Sequence, residues 1–113
     1  MKKPIACDLS VFSGPERIDH QNQSSALVRH AVRLTEAKDG FTFFHSYTSD
    51  KFVSFAKWIT AESKCCPFLH FELALQPIDD GYEIAITLRG DEQIKDFLRS
   101  EFQGLPDRTL SSQ

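Results

Sequence analysis

The stretch ESKCCPFLHFE, residues 62–72, spends two of the chain's three cysteines on adjacent positions, Cys65 and Cys66, and follows them with Pro67 and His70. Two neighbouring thiolates can reach a single thiophilic ion, and a metal deprotonates its own cysteine ligands. Soft-metal binding is therefore one reading of the pair. A third sulfur from Cys7, or a nitrogen from His70, would complete a three-coordinate or tetrahedral site. Glu62 precedes the pair by three and four residues, so on a helix it shares their side. That position suits a group that orients a ligand or accepts its proton.

Two other chemistries compete for the same residues. Thiol redox catalysis would have Cys65 attacked and Cys66 resolve, but thiolates are normally favoured at helix N-termini or beside cations. This pair falls at a helix C-terminus, where the dipole is negative. A resting Cys65–Cys66 disulfide is also strained, because adjacent Cα atoms are about 3.8 Å apart and disulfides usually span roughly 4.4 to 6.8 Å. The third reading is packing, in which Cys7 and Cys66 are small buried hydrophobes and Cys65 is incidental. Structural zinc sites mostly space their cysteines two to four apart, so the CC step is not itself a zinc signature.

The elements that must position these residues follow from periodicity. Ile5, Cys7 and Leu9 alternate in a first strand, Ile5 to Val11. Ser13-Gly14-Pro15-Glu16 is a helix start with a capping box, and the helix runs to about Ala31. Its first half has a thin apolar stripe, Ile18 standing alone before Ala26 and Leu27. Residues 32–36 and 41–46 alternate around Asp39-Gly40 as a hairpin. Thr48-Ser49-Asp50 caps a second helix whose stripe is Phe52, Phe55, Ala56, Ile59 and Cys66, widened by Trp58. Pro67 ends it at or before Cys66. Residues 69–75 and 82–88 form a second hairpin across the turn Pro77 to Gly81, and Asp91 caps a last helix bearing Ile94, Phe97 and Leu98. The order β-α-β-β-α-β-β-α implies an α+β, two-layer fold with helices on one face of a largely antiparallel sheet. The other face would carry Thr42, Phe44, Ser46, Phe68, His70, Glu72, Ala85 and Thr87. Its phenylalanines suggest closure by a second copy of the chain or by a partner protein.

At 113 residues the chain supports one core, so a single domain over 1–102 is expected, with a Gly-, Pro- and Ser-containing tail, 103–113, that frays. Ten phenylalanines make that core aromatic. A net charge of −3, with scattered basic residues, gives no field for nucleic acid. No run approaches the roughly 20 apolar residues of a membrane span. The odd cysteine count suits free thiols and a cytoplasmic location. His20, His30 and His45 lack partners at ligand spacing, which points to surface or sheet-face roles. Asp79-Asp80-Gly81 is a turn rather than a calcium loop. There is no nucleophile elbow, P-loop or dinucleotide fingerprint, so no enzyme class gains positive support.

Glu62, Cys65, Cys66, Pro67 and Phe68, followed by Phe71 and Leu73, resemble the ExxCCPF signature of a group of small uncharacterised bacterial proteins. Ile5-Ala6-Cys7 and Asp39-Gly40-Phe41 resemble further segments of that group. The resemblance runs from Ile5 to Phe102, and its specific part is CCPF. Some members are encoded near mercury-resistance functions, which implies Cys7, Cys65, Cys66 and Glu62 as the positions to test. On the softness of paired thiolates, the ion would be Hg, As, Cu or Zn. The pattern fixes no residue type where this chain has His70.

Overall fold

The computed structural model describes residues 9–101 and 110–112. Of the expected first strand, residues 5–8 and with them Cys7 lie outside the described part. Leu9–Val11 is a single 3₁₀ turn rather than a strand end.

The first helix, α1, spans Gly14–Arg29 and begins with the expected capping box. Glu16 N–H donates to Ser13 Oγ at 3.4 Å, and Ser13 N–H donates back to Glu16 Oε1 at 2.9 Å. Two orphan donors are thus satisfied reciprocally. The helix stops at Arg29, two residues short of expectation, as Val32 N–H is taken by the Phe44 carbonyl at 2.8 Å. The chain turns there into the first hairpin, β1 (Arg33–Ala37) and β2 (Gly40–Ser46), in register Arg33 with Phe44 through Ala37 with Gly40. Gly40 sits so close to β4, the strand Gly81–Arg89, that a Cβ there would clash with the Leu88 carbonyl oxygen. Only glycine fits that approach.

The second helix, α2, spans Ser49–Cys65, with Thr48 Oγ1 accepting from Lys51 N–H at 3.1 Å. It ends where Pro67 dictates: Cys66 has φ −126° and ψ 66°, outside the α region, while its N–H still donates to the Glu62 carbonyl at 2.7 Å. The second hairpin pairs β3 (His70–Ile78) with β4, and Gly81 takes φ +132° at its turn. The last helix, α3 (Glu92–Glu101), opens with Asp91 Oδ1 accepting from Ile94 N–H at 3.0 Å. Ile94 packs on the core. The side chains of Phe97 and Leu98 lie outside the described ones.

The strand order is β3-β4-β2-β1-β5, where β5 (Leu110–Ser112) lies parallel to β1 and every other pair is antiparallel. This α+β arrangement agrees with the alternation in the sequence, except that the tail composition does not announce β5. One sheet face presents Phe41, Phe43, Ile84, Ile86 and Leu88 to Leu27, Trp58, Cys65 and Cys66. Burying each large side chain of that set stabilises the fold by about 1.5–3 kcal/mol.

The opposite face is polar and self-satisfied. Thr42 and Thr87 hydroxyls meet at 2.9 Å, and Arg33 lies 3.8 Å above the Phe44 ring while donating to Glu83 at 2.8 Å. Phe68 is not on it. Strand β3 begins only at His70, and Phe68 in the preceding turn packs against the core. Among the described residues no helix is long and apolar enough to cross a membrane.

Candidate metal centre

On α1, His20, Ser24, Leu27 and the following Ala31 recur at spacings of four, three and four, the period of one helix face. His20 is 4% exposed, Leu27 2% and Ala31 1%. The buried stripe that looked thin from apolar residues alone is completed by a histidine and a serine. On α2, Trp58, Glu62 and Cys65 occupy one face by the same spacing rule. Packing α1 on α2 brings the two polar stretches together.

The imidazole of His20 is held between aromatic rings. Trp58 lies nearly parallel to it, with centroids 6.0 Å apart and 9° between planes, and Phe12 approaches at 4.8 Å. Trp58 Nε1–H donates to Ser24 Oγ at 2.8 Å, and the Ser24 hydroxyl donates to the His20 carbonyl at 2.9 Å. These bonds fix both helices at the level of the site.

Three donor atoms converge there. His20 Nε2 is 2.6 Å from Glu62 Oε1 and 3.9 Å from Cys65 Sγ, and the Cys65 sulfur is 3.4 Å from Glu62 Oε1. Cys65 is wholly buried, whereas the Glu62 side chain keeps 14% of its surface exposed. Solvent therefore reaches the cluster on its carboxylate side. Beside it, a cavity of about 250 Å³ is walled by Phe12, Glu16, His20, Ala61 and Lys64.

The arrangement is informative because carboxylate and sulfur face the same ring nitrogen. A Cys-His-acid relay needs the acid on one nitrogen and the nucleophile on the other, so that the imidazole can pass a proton between them. Here the far nitrogen, His20 Nδ1, is buried with no hydrogen-bond partner among the described residues. Three mutually close donors of different types suit a shared cation better than a relay. Tetrahedral zinc sets N, O and S donors about 3.3–3.6 Å apart. The sulfur distances of 3.4 and 3.9 Å are near that already, and the 2.6 Å contact opens by a small swing of the partly exposed Glu62.

The expected ligands are thus partly reassigned. Glu62 and Cys65 come together as their spacing predicts. Cys66 Sγ lies 3.6 Å from Cys65 Sγ, so the adjacent sulfurs do converge. Their states differ, however: Cys66 is disulfide-bonded and Cys65 is not, which corrects the expectation of thiols throughout. Cys7 lies outside the described residues. His70 is not drawn into the cluster; it is exposed at the start of β3, 3.3 Å from Glu72. The histidine that is drawn in is His20, which is buried on α1 and not in the surface or sheet-face role that its spacing suggests. His45 is likewise buried, its Nε2 2.8 Å from the Leu27 carbonyl oxygen. Comparisons with protein-family models, with curated proteins and with solved structures find no match.

Proposed function

We propose that this protein binds a thiophilic or borderline transition-metal ion, with Cys65, His20 and Glu62 as the primary donors and Cys66 as a second sulfur once reduced. The observation that carries the reading is the convergence of imidazole nitrogen, carboxylate oxygen and thiol sulfur on one buried point. A mixed N/O/S set favours Zn(II) or a similar borderline ion, whereas two adjacent thiolates extend the range to Hg(II) and Cu(I). The resemblance of Glu62 through Phe68 to the CCPF group, with its mercury association, supports Glu62, Cys65 and Cys66 but not His20.

Two rival readings lose ground. Thiol exchange through Cys65 and Cys66 needs an activated thiolate, and the pair lies at the C-terminal end of α2, where the helix dipole disfavours one. An interaction module on the outer sheet face, dimeric or otherwise, loses two anchors, because Phe68 faces the core and Arg33 covers Phe44.

Titration of the reduced protein with Zn(II) or Hg(II), followed by native mass spectrometry and sulfur-to-metal absorption, tests the proposal. One ion per chain is expected, with at least ten-fold weaker binding in Cys65→Ser and in His20→Phe. Unchanged stoichiometry and affinity in both variants would remove the site.

A further inference from the structure

We infer that the redox state of Cys66 decides whether an ion at this site keeps a coordination position open to an outside ligand. The inference rests on the metal-binding reading just given. Among the described residues the cluster supplies three donor atoms, one each from His20, Glu62 and Cys65. Three protein ligands are what zinc sites with an exchangeable fourth position carry, while closed structural sites carry four. Among the described residues a further sulfur, Cys66 Sγ, lies 3.6 Å from Cys65 Sγ, and it is committed to a disulfide.

Two forms follow from that placement. With the disulfide intact, the fourth position falls to water or to a small anionic donor. A cavity of about 250 Å³ adjoins the cluster at His20, though neither Glu62 nor Cys65 lines it, and it is ample for a water, which occupies roughly 30 Å³ of liquid. Glu62, partly exposed, marks the side on which exchange with solvent proceeds. An external dithiol converts this form to the other. It supplies two electrons and two protons, the sulfur–sulfur bond at Cys66 breaks, and both sulfurs leave as thiols while the dithiol closes to its own disulfide. The freed Cys66 then loses its proton to become the fourth ligand and displaces the outside donor. The site passes from open and exchangeable to closed and sulfur-rich, which favours softer ions.

Co(II) is the probe, because its visible bands report coordination and its near-ultraviolet sulfur charge-transfer intensity counts thiolates. Oxidised and pre-reduced protein, the latter freed of dithiol under anaerobic conditions, are each loaded with one equivalent and titrated with azide. The oxidised form should show one thiolate's charge-transfer intensity and visible bands that shift on azide addition. The reduced form should show about twice that intensity and no azide response. Cys66→Ser should respond to azide whether or not it has been treated with dithiol. An identical azide response in oxidised and reduced wild type, or an azide-silent Cys66→Ser protein that still shows Cys65 charge transfer, would overturn the inference while leaving metal binding intact. Absence of charge transfer in every form would instead defeat the metal reading and this inference with it.

Discussion

His20 answers to two demands that oppose one another. Its Nε2 faces Glu62 and Cys65, yet its buried Nδ1 has no partner among the described residues, and an unpaired buried polar atom costs about 1–3 kcal/mol. His20→Phe would place an apolar ring against Phe12 and Trp58 and leave Glu62 to water on its exposed side. Metal binding should be lost while the thermal midpoint holds or rises by ~2–6 °C, a trade expected where function keeps a strained group. Calorimetry beside a zinc titration checks both halves, and a large fall in midpoint would mean that the imidazole is structural. The residue was hidden in the sequence for a physical reason. An apolar-only search sees Leu27 and Ala31 but not that His20 and Ser24 continue their stripe; helical spacing allowed to include polar residues would have flagged it. Cys65 and Glu62 were legible because i, i+3 spacing alone places them on one side of a turn. No spacing rule could report that Cys66 and Cys65 differ in oxidation state.

The elements were legible wherever local chemistry decides them. Ser13 with Glu16, Thr48, Pro67, Asp39-Gly40 and Asp91 each act within a few residues, and the structure uses each where it stands. Ser13→Ala should destabilise α1 by about 1 kcal/mol, measurable by denaturant unfolding, with metal affinity falling in step only if the helix start is linked to His20. Gly40→Ala should cost more, about 2–4 kcal/mol, because the added methyl meets the backbone of β4 and not a movable side chain. Soluble expression with wild-type stability would contradict the close approach. What local chemistry does not decide is which strands become neighbours. The pairing of β2 with β4 and of β5 with β1 joins distant segments.

Across the whole molecule, ion pairs tie α3 and the outer sheet face to the hairpins. Lys95 bonds Glu36 at 2.8 Å and Arg99 bonds the same carboxylate at 2.6 Å, holding its pKa below the ordinary 4.5. Arg89 does the same for Glu72, assisted by His70, and bonds Asp39 at 2.9 Å. A carboxyl whose folded pKa is depressed contributes stability that is complete above its unfolded value and is lost as pH falls through the folded one. The contribution of these carboxylates to the unfolding midpoint should therefore be level from pH 7 to about 5 and decline below about 4.5, in the range where they protonate. Glu36→Gln should flatten that decline while costing less than about 1 kcal/mol at neutral pH, since the pairs are near the surface. An unchanged acid slope in that variant would show that the α3 contacts do not carry the linkage.

The short parallel strand at the C-terminus has a practical side. By lying along β1, residues 110–112 occupy a row of main-chain amides and carbonyls that would otherwise be free to recruit a strand from a neighbouring molecule. Shortening the chain before Leu110 should uncover that row and drive concentration-dependent fibrillar association, which light scattering would register. A purification handle fused at the C-terminus pulls on the same latch, so for solubility the handle belongs at the other end of the chain.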